Sequence, residues 1–260
     1  MQRVGVFGAG GRMGLAVCEA VAGDPELELV AAVDPHRVGL PVGEPAGNLV
    51  TVADRQAVAD AGADVVVDFT IADAARDNLL WLADQAIHAV VGTTGFTDDD
   101  LSGFEAAFSR AGRACIIAPN FSISAVLMMR FAEMAAPYFD TAEVIELHHD
   151  AKIDAPSGTA RLTVEKMAAA SDHWAPDPTE HEEVAGARGG EGPGGIRVHS
   201  VRMRGMVAHH EVILGAQGQT LTIRQDSTDR SSFMPGVLTA VKHASEHSGL
   251  VVGLDALLDI

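Results

Sequence analysis

The sequence has few cysteines, few lysines and no long hydrophobic run. Its two cysteines, Cys18 and Cys115, both lie in apolar segments, so they are expected to be buried thiols in a reducing compartment. Because no Cys-x-x-Cys pair is present, no metal site is expected. No apolar stretch approaches the roughly 20 residues that a membrane span needs, and the first residues lack the long apolar core of a signal peptide. These absences predict a cytoplasmic protein with no membrane association.

Positive charge is also scarce. The 36 acidic residues exceed the 18 basic residues by 18, and a surface that negative repels phosphate backbones. Nucleic-acid binding is therefore not expected, and an anionic substrate or cofactor would need a local basic pocket. At 260 residues, the chain can form one large domain or two small ones, with a core that needs no disulfide or metal.

Short apolar strands alternate with helices through the first half of the chain. Helices are predicted between them, for example at 72–87 and 98–110. This alternation is typical of a parallel, doubly wound sheet. The first region is therefore predicted to be an α/β domain of the Rossmann type. The predicted strands are 2–7, 27–33, 64–68, 89–92 and 114–118.

A glycine-rich turn joins the first strand to the first helix. Glycines here let the backbone approach a pyrophosphate at the N-terminus of the helix. The second strand ends in Asp34, whose carboxylate can accept a hydrogen bond from a ribose hydroxyl. The sixth position of the turn is Met13, where the common fingerprint has a glycine, so a tight turn without a ligand is the alternative. The turn comprises Gly8, Ala9, Gly10, Gly11, Arg12 and Met13, followed by Gly14.

Charged residues near this turn bear on the choice of nicotinamide cofactor. Asp34 favours NADH, because a carboxylate repels the 2′-phosphate of NADPH, whereas Arg37 could accommodate that phosphate. The sequence therefore predicts use of NADH, NADPH or both, without strong selectivity. Arg12 and Arg37 could instead be ordinary surface charges.

Further segments follow the later strands of the first region. Because the carboxyl ends of parallel strands meet at one edge of a sheet, these segments are expected to line a crevice with the glycine-rich turn. Ordinary turn chemistry is the alternative. The residues are Phe69 and Thr70 after the third strand, Gly92, Thr93, Thr94 and Gly95 after the fourth, and Ala118, Pro119, Asn120 and Phe121 after the fifth.

The second half of the chain has a different pattern. An apolar helix at 122–139 is followed by alternating strands, which predict a second α+β domain with a mixed sheet of at least four strands. His209 and His210 lie on one of these strands and are expected not to be ligands. The segment 171–195 is a long loop that could be a lid, an interface arm or disordered. A last helix is predicted at 231–247. The predicted strands are 141–149, 196–203, 207–214 and 219–225.

The densest group of reactive side chains lies in 146–160, where a predicted strand gives way to a helix. His148 and His149 can hold an anion when charged, or pass a proton. As neighbours on a continuing strand they would point to opposite faces, so only one need serve a site. Lys152, one of only three lysines in the chain, adds a compact ammonium group.

A helix start completes this group. Ser157 can cap the helix, and the N–H groups of Gly158 and Thr159 can then face an anion. Together with the histidines and the lysine, they suit a small molecule with one or two carboxylates. A turn and helix cap with solvated histidines is the alternative.

This run, Glu-Leu-His-His-x-x-Lys-x-Asp-Ala-Pro-Ser-Gly-Thr-Ala, resembles the signature of the 4-hydroxy-tetrahydrodipicolinate reductase family, also called dihydrodipicolinate reductase. The glycine-rich start, Gly-Thr-Thr-Gly, Ala-Pro-Asn-Phe and Arg-Ser-Ser-Phe at 230–233 are similar to that family too, so the resemblance covers nearly the whole chain. It implies an oxidoreductase of the diaminopimelate and lysine pathway. Hydride would pass from NADH or NADPH to a cyclic, unsaturated dicarboxylate, and the product would be tetrahydrodipicolinate.

The resemblance also implies roles for individual residues. His148 would donate or accept a proton and Lys152 would donate one, although Lys152 could instead be an anchor. His149, Gly158 and Thr159 would hold the substrate carboxylates. The segments after the fourth and fifth strands would border the nicotinamide.

At the level of domains, the resemblance implies a dinucleotide-binding domain at 1–120 and a substrate-binding and oligomerisation domain at 121–232. A C-terminal segment at 233–260 would return to the first domain. The heterocycle would bind between the two domains, and four copies would assemble through the second sheet into a homotetramer.

Two other functions are compatible with parts of the pattern. A different reductase on the same scaffold, acting on an aldehyde or keto acid, would share the glycine turn and Asp34 but would not require the run at 146–160. A nicotinamide sensor without enzymatic activity would keep the first domain and lack the anion pocket.

Overall fold

The computed structural model describes residues 1–258, which form two compact units. The first unit comprises Met1–Phe121 together with the chain from Phe233 onward, and the second comprises Ser122–Ser232. Residues 259 and 260, the end of the predicted C-terminal segment, lie outside the described residues. Within residues 1–258, no helix is long and apolar enough to span a membrane.

Helices alternate with strands in the first unit, and strands predominate in the second. The first unit begins with β1 Gln2–Phe7, α1 Arg12–Gly23, β2 Leu27–Val33, α2 Gln56–Asp60, β3 Val65–Asp68, α3 Ala72–Asp84, β4 His88–Val91, α4 Asp98–Ala111 and β5 Ala114–Ile117. The second unit contains α5 Ile123–Ala135, β6 Thr141–His148, α6 Gly158–Ala170, β7 Gly190–Glu191, β8 Arg197–Arg202, β9 Ala208–Ala216 and β10 Gln219–Ser227. The last elements, in the first unit, are α7 Met234–His243 and β11 Gly249–Val252.

Six parallel strands form the sheet of the first unit, in the order β2-β1-β3-β4-β5-β11. β2 lies on one side of β1 and β3 on the other, so the strand order reverses at the carboxyl ends of β1 and β3. In doubly wound sheets, ligands bind in the crevice at such a reversal. The predicted Rossmann-type α/β fold is confirmed. β11 is an additional strand that was not predicted.

The middle of this sheet is buried on both faces. Every residue of β3, β4 and β5 is buried, which is why these strands are mostly runs of valine, isoleucine and alanine without polar alternation. Leu79 and Leu82 of α3 and Phe104 and Phe108 of α4 pack in the same core. The strand ends are therefore held by a rigid scaffold, on which loops can carry a site.

The sheet of the second unit has five strands in the order β10-β9-β6-β8-β7. β6 pairs in parallel with β8 and antiparallel with β9, so the sheet is mixed, as predicted. The helices α5 and α6 pack on one face, where Val144, Val212 and Leu214 are buried. The fifth strand, β7, lies in the segment 171–195 that was predicted to be a loop.

Three predicted helices are shorter in the structure. The helix predicted at 72–87 is α3, which ends at Asp84. α5 ends at Ala135 and is followed by a single 3₁₀ turn, Ala136–Tyr138, because Pro137 cannot supply an N–H to continue the helix. The helix predicted at 231–247 is α7, flanked by 3₁₀ turns at Arg230–Phe233 and Ala244–Glu246.

The segment 171–195 is attached to the second sheet by ion pairs. Asp177 lies 2.8 Å from Arg197 Nη2, and Arg188 Nη2 lies 2.5 Å from Glu143 Oε1. These contacts argue against a disordered loop and leave the lid and the interface arm as alternatives.

Candidate functional site

The crevice of the first sheet opens at the glycine-rich turn. Gly8 follows β1 with a φ of +71°, a conformation that favours glycine. A Cβ on Gly8 would lie 2.9 Å from the carbonyl oxygen of Phe69, and a Cβ on Gly14 would overlap the Gly8 carbonyl. The turn therefore packs tightly against the end of β3 and against α1, and it presents backbone to the crevice.

Asp34 and Arg37 both contact Gly10 in this turn. Asp34 Oδ2 accepts a 3.0 Å hydrogen bond from the Gly10 N–H, and Asp34 Oδ1 accepts one of 3.0 Å from the His36 N–H. Arg37 Nη1 donates to the Gly10 carbonyl over 2.9 Å. The acid and the base that bear on cofactor choice thus flank the same glycine.

The segments that follow β3, β4 and β5 meet at the same edge of the sheet. The Phe69 ring fills the space that a Gly92 side chain would occupy, and its centroid lies 5.9 Å from that of Phe121. Thr93 Oγ1 donates to the Thr70 carbonyl over 2.8 Å. The structure therefore brings these predicted segments together. Of the other predicted residues, Ala9 and Ala118 are buried, Gly11, Met13 and Asn120 are partly buried, and Arg12, Thr94 and Pro119 are exposed.

A buried carboxylate that was not predicted from the sequence supports this edge. Asp68, at the end of β3, accepts hydrogen bonds from the Thr70 N–H at 2.7 Å, from Thr70 Oγ1 at 2.6 Å and from Asn78 Nδ2 at 3.0 Å. Burial raises the pKa of Asp68 despite these bonds. Asp68 thus fixes the turn that carries Phe69 and Thr70.

The residues of this edge fit a dinucleotide cofactor. A cavity of about 270 Å³ lies beside Gly8 and is also lined by Val33, Pro35 and Thr70. α1 starts after Gly11, which has no side chain to cap the helix, so the N-terminus of α1 is open to a phosphate group. Asp34 follows β2, and its carboxylate can accept a hydrogen bond from a ribose hydroxyl.

The predicted site residues of the second unit are organised by one buried carboxylate, Glu146 on β6. Its side chain is 0% exposed. Glu146 Oε2 bonds to His148 Nδ1, and Arg202 reaches both carboxylate oxygens, at 2.8 and 2.9 Å. Glu146 Oε1 also accepts from the Ser157 N–H over 3.2 Å. Burial opposes ionisation, but hydrogen bonds from His148 and Arg202 outweigh it and hold the pKa of Glu146 far below its ordinary value.

Strand register explains why these side chains meet. Glu146 is paired with His210 on β9, and His148 is paired with Arg202 on β8. Residues two apart on a strand share a face, so Glu146 and His148 lie on the face that also carries buried Val144.

Ser157 joins this cluster to α6. Its Oγ caps the helix, as predicted, by accepting from the Ala160 N–H over 3.2 Å. The same oxygen lies 3.0 Å from His210 Nε2, and His210 Nδ1 lies 3.4 Å from Gln225 Oε1. Since an amide oxygen only accepts, the proton of His210 is on Nδ1, and Nε2 accepts from the serine hydroxyl. His210 therefore supports the cap of α6.

The other predicted residues of this region lie on the segment from β6 to α6. Lys152 Nζ donates to both oxygens of Asp154, at 2.8 and 2.9 Å, and this hydrogen bond lowers the pKa of Asp154. His149 is exposed just after β6. Gly158 and Thr159 are the first two residues of α6, where helix geometry and the helix dipole favour an anion.

Acidification is expected to destabilise the second unit through His210. Burial and the charge of nearby His148 lower the pKa of His210 from its ordinary 6.5 to about 4. The folded state holds a neutral ring, and stability is lost as pH falls below 6.5 because the unfolded chain takes up the proton first. Between pH 7 and pH 5, the free energy of unfolding should fall by about 2 kcal/mol through this residue.

His210→Gln should remove this part of the pH dependence, measured by urea unfolding at the two pH values. His173→Gln is the control, because His173 is exposed; this variant should keep the wild-type dependence. An acid sensitivity in His210→Gln equal to that of the wild type would contradict the prediction.

Two residues of this cluster, Arg202 and Glu146, were not predicted from the sequence to have a role. Glu146 follows Ala142 and Val144 at alternate positions, which places a charge on the buried face of a strand, where it needs a partner. That signal was present in the sequence. No comparable signal marks Arg202, because its contact with Glu146 spans 56 residues and depends on the parallel pairing of β6 with β8.

Comparison with known proteins gives matches over both units. Two family models match, one described as dihydrodipicolinate reductase, N-terminus, over residues 2–121, and one as dihydrodipicolinate reductase, C-terminus, over residues 124–258. The 4-hydroxy-tetrahydrodipicolinate reductase of Cutibacterium acnes is 49% identical and covers 100% of both chains. That of Corynebacterium diphtheriae is 49% identical and covers 99% of both chains.

A solved structure is similar as well. The dipicolinate-bound dihydrodipicolinate reductase from Paenisporosarcina sp. TG-14 has a TM-score of 0.88 and 37% sequence identity, and the match covers 98% of this chain and 99% of that chain. The similarity therefore extends over the fold as well as the sequence.

Proposed function

The chain belongs to the dihydrodipicolinate reductase family, and we propose that it reduces 4-hydroxy-tetrahydrodipicolinate to tetrahydrodipicolinate with hydride from a nicotinamide cofactor. The observation that carries the proposal is the buried Glu146, which joins His148 to the start of α6. Proton transfer and carboxylate binding need these two groups at a fixed separation. The family belongs to diaminopimelate and lysine biosynthesis. A cytoplasmic location is supported by the buried free thiols Cys18 and Cys115.

The reaction takes one hydride and one proton, releases the 4-hydroxyl group of the substrate as water and gives tetrahydrodipicolinate with oxidised cofactor. The bound nicotinamide supplies the hydride. Proton delivery is left to side chains, and we assign it to the imidazole of His148, a group that can donate or accept a proton. A positioned acid or base of this kind contributes about 10²- to 10⁴-fold to the rate.

The substrate carboxylates are proposed to bind at His149 and at Gly158 and Thr159, the N-terminus of α6. Lys152 is proposed as the second proton donor. Its ammonium group already holds both oxygens of Asp154, so a substrate carboxylate would compete with Asp154 for the same donors. Lys152 would then contact the substrate in place of Asp154, as a proton donor or as an anchor.

We propose that the enzyme accepts either NADH or NADPH as its cofactor. Its pyrophosphate would lie against the turn Gly8–Met13 and the N-terminus of α1, and the nicotinamide would lie near the segments that follow β4 and β5. Asp34 would accept from the ribose, and Arg37 would approach a 2′-phosphate. Both side chains lie beside Gly10, so the site offers an acceptor for the ribose hydroxyl of NADH and a cation for the 2′-phosphate of NADPH.

A homotetramer is proposed, assembled through the sheet of the second unit. The face of this sheet opposite α5 and α6 carries partly buried Ile145, Leu147, Val201 and Ile213. These apolar side chains share the face with the ion pair of Glu143 and His199, and association with further copies of the chain would cover them.

The test of the proposed function is oxidation of NADH and NADPH, followed by loss of the absorbance of the reduced nicotinamide. The preceding synthase would generate the substrate in situ from pyruvate and aspartate semialdehyde. We expect oxidation that depends on the synthase, with comparable rates for the two cofactors. A reaction without synthase is the control. If folded protein binds cofactor and oxidises neither form, the proposal is wrong, and a sensor or a different reductase takes its place.

A further inference from the structure

The Arg202 guanidinium and the Ser157 N–H can only donate, and both bond to the Glu146 carboxylate. His148 Nδ1, the Arg202 guanidinium and the Ser157 N–H surround its two oxygens, and the Ser200 side chain adds a further hydrogen bond. A proton on Glu146 would oppose one of these donors and break a bond. The carboxylate is therefore held in its ionised form at a position fully removed from solvent.

The ionised carboxylate determines which nitrogen of His148 carries a proton. A carboxylate only accepts, so His148 Nδ1 must be the donor. The hydrogen bond of one ring nitrogen sets the role of the other, and Nε2 is thus the nitrogen left for proton transfer. The ring of His210 packs edge-on against that of His148, with 5.5 Å between centroids and 81° between planes, which limits rotation of the His148 ring.

The same carboxylate also fixes the start of α6. Glu146 Oε1 holds the Ser157 N–H at 3.2 Å, and Arg202 Nη2 donates to the Asp154 carbonyl over 2.6 Å. The Glu146–Arg202 pair therefore bonds to His148 at one end of the connecting segment and to Ser157 at the other. It sets the distance between the histidine and the helix start.

The charged side chains near His148 form pairs. Glu146 and Arg202 balance each other, and Lys152 and Asp154 form a second balanced pair on the connecting segment. His210 is neutral near pH 7, because burial lowers its pKa to about 4. The carboxylate of Glu146 is in direct contact with any positive charge that forms on the His148 ring.

We infer that Glu146 is a positioning residue of the reductase, which holds His148 with Nε2 ready for proton transfer and sets the separation between His148 and the substrate-binding start of α6. During turnover, His148 Nε2 gives a proton to the substrate and regains one from water, while Glu146 takes up no proton. The inference rests on the proposed function. It adds Glu146, which acts through its contacts with His148 and with Ser157 at the start of α6.

The chain contains a matched control on the opposite face of the same strand. Glu143 Oε2 lies 2.5 Å from His199 Nε2, and Glu143 Oε1 lies 2.5 Å from Arg188 Nη2. This cluster has the same three residue types as the first, but it is only partly buried and has no contact with the connecting segment through Ser157. Glu143→Gln removes an equivalent charge without touching His148.

The experiment compares Glu146→Gln with Glu143→Gln across neutral pH. In Glu146→Gln we expect kcat to fall by about 10²-fold or more, with a smaller change in KM. The NH₂ group of the new amide cannot accept a hydrogen bond from His148 Nδ1, so the ring is no longer held with Nε2 ready for proton transfer. The alkaline limb of the kcat profile should move to lower pH, because a neutral amide no longer stabilises positive charge on His148. Because Glu143 lies on the face proposed for assembly, size-exclusion chromatography checks that Glu143→Gln keeps the wild-type oligomeric state; this variant should then keep the wild-type kcat and profile. A wild-type kcat and profile in Glu146→Gln would overturn the inference.

A second variant separates positioning from stability. Glu146→Gln leaves the Arg202 charge without its partner, which is destabilising in a buried site. The double variant Glu146→Gln with Arg202→Met removes that charge and should regain part of the lost Tm while kcat stays low. Recovery of kcat together with Tm would show that Glu146 has a structural role alone.

The inference and the proposed function fail in different ways. Absence of turnover in the wild type would contradict the function. ¹⁵N NMR of the imidazole groups, with the His148 signal assigned by its loss in His148→Gln, tests the inference without turnover. We expect a proton on His148 Nδ1 in the wild type and its redistribution in Glu146→Gln. A wild-type ring protonated on Nε2 alone would overturn the inference.

Discussion

His148→Gln is expected to lower kcat by about 10²- to 10⁴-fold while KM changes only a few-fold. Glu146 holds Nδ1 of this ring, which leaves Nε2 for the reacting proton. Glutamine keeps a donor and an acceptor of similar reach, but its amide does not titrate near neutral pH. The loss should therefore fall on the chemical step, measured as initial rates at saturating substrate with each cofactor.

His199→Gln is the control for this substitution. His199 lies on β8, pairs with Glu143 and is partly buried, so its replacement removes a similar ring from the opposite face of the sheet. Activity close to that of the wild type is expected. A rise in KM with unchanged kcat in His148→Gln would mean that His148 binds the substrate and does not transfer a proton. Equal losses in both variants would indicate a general effect on the sheet.

Much of the first sheet could be predicted because its signal is local. β3 and β5 are short apolar runs, buried on both faces, and they end in turn residues. Elements without such a signal were missed. α2 has five residues and β7 has two, too few to show a period. β11 has an apolar pattern, but its parallel pairing with β5 depends on contacts distant in the sequence.

The candidate site of the second unit was predicted in part for the same reason. His148, Lys152 and Ser157 lie close together in the sequence, and the cap of α6 by Ser157 was predicted from local chemistry. Arg202 and His210 reach the same cluster from β8 and β9. Their roles follow from strand register, which the sequence pattern does not determine.

Strand alternation gives β6 two clusters of the same composition with different surroundings. Glu146 is fully buried, whereas Glu143, three residues earlier on the other face, is partly buried. The buried cluster is connected to a helix start, and the partly buried one binds Arg188 of the segment 171–195. Residue types alone would not separate the two, because the difference lies in what each face of the sheet contacts.

Gly14→Ala is expected to impair both the fold of the first unit and its binding of cofactor. A Cβ at this position would overlap the Gly8 carbonyl and lie 2.7 Å from Ala9 Cα. α1 would have to move away from the turn that is proposed to hold the pyrophosphate. Overpacking of this kind costs about 1–3 kcal/mol and occasionally more, and the rigid backbone on both sides places this position at the upper end. We expect Tm to fall by about 10 °C and the Kd for NADH and NADPH to rise at least about tenfold.

Gly103→Ala is the matched control, since it makes the same substitution inside α4, where a Cβ would meet nothing within 4 Å. Alanine is favoured over glycine in a helix by about 0.5–1 kcal/mol, so this variant should be slightly more stable than the wild type and bind cofactor equally well. Thermal unfolding and titration of the fluorescence of the reduced nicotinamide measure both quantities. If Gly14→Ala kept the wild-type Tm and Kd, the close packing of α1 on the glycine turn would not be needed, and the pyrophosphate site would have to lie elsewhere. If Tm fell but Kd did not change, Gly14 would serve the fold alone.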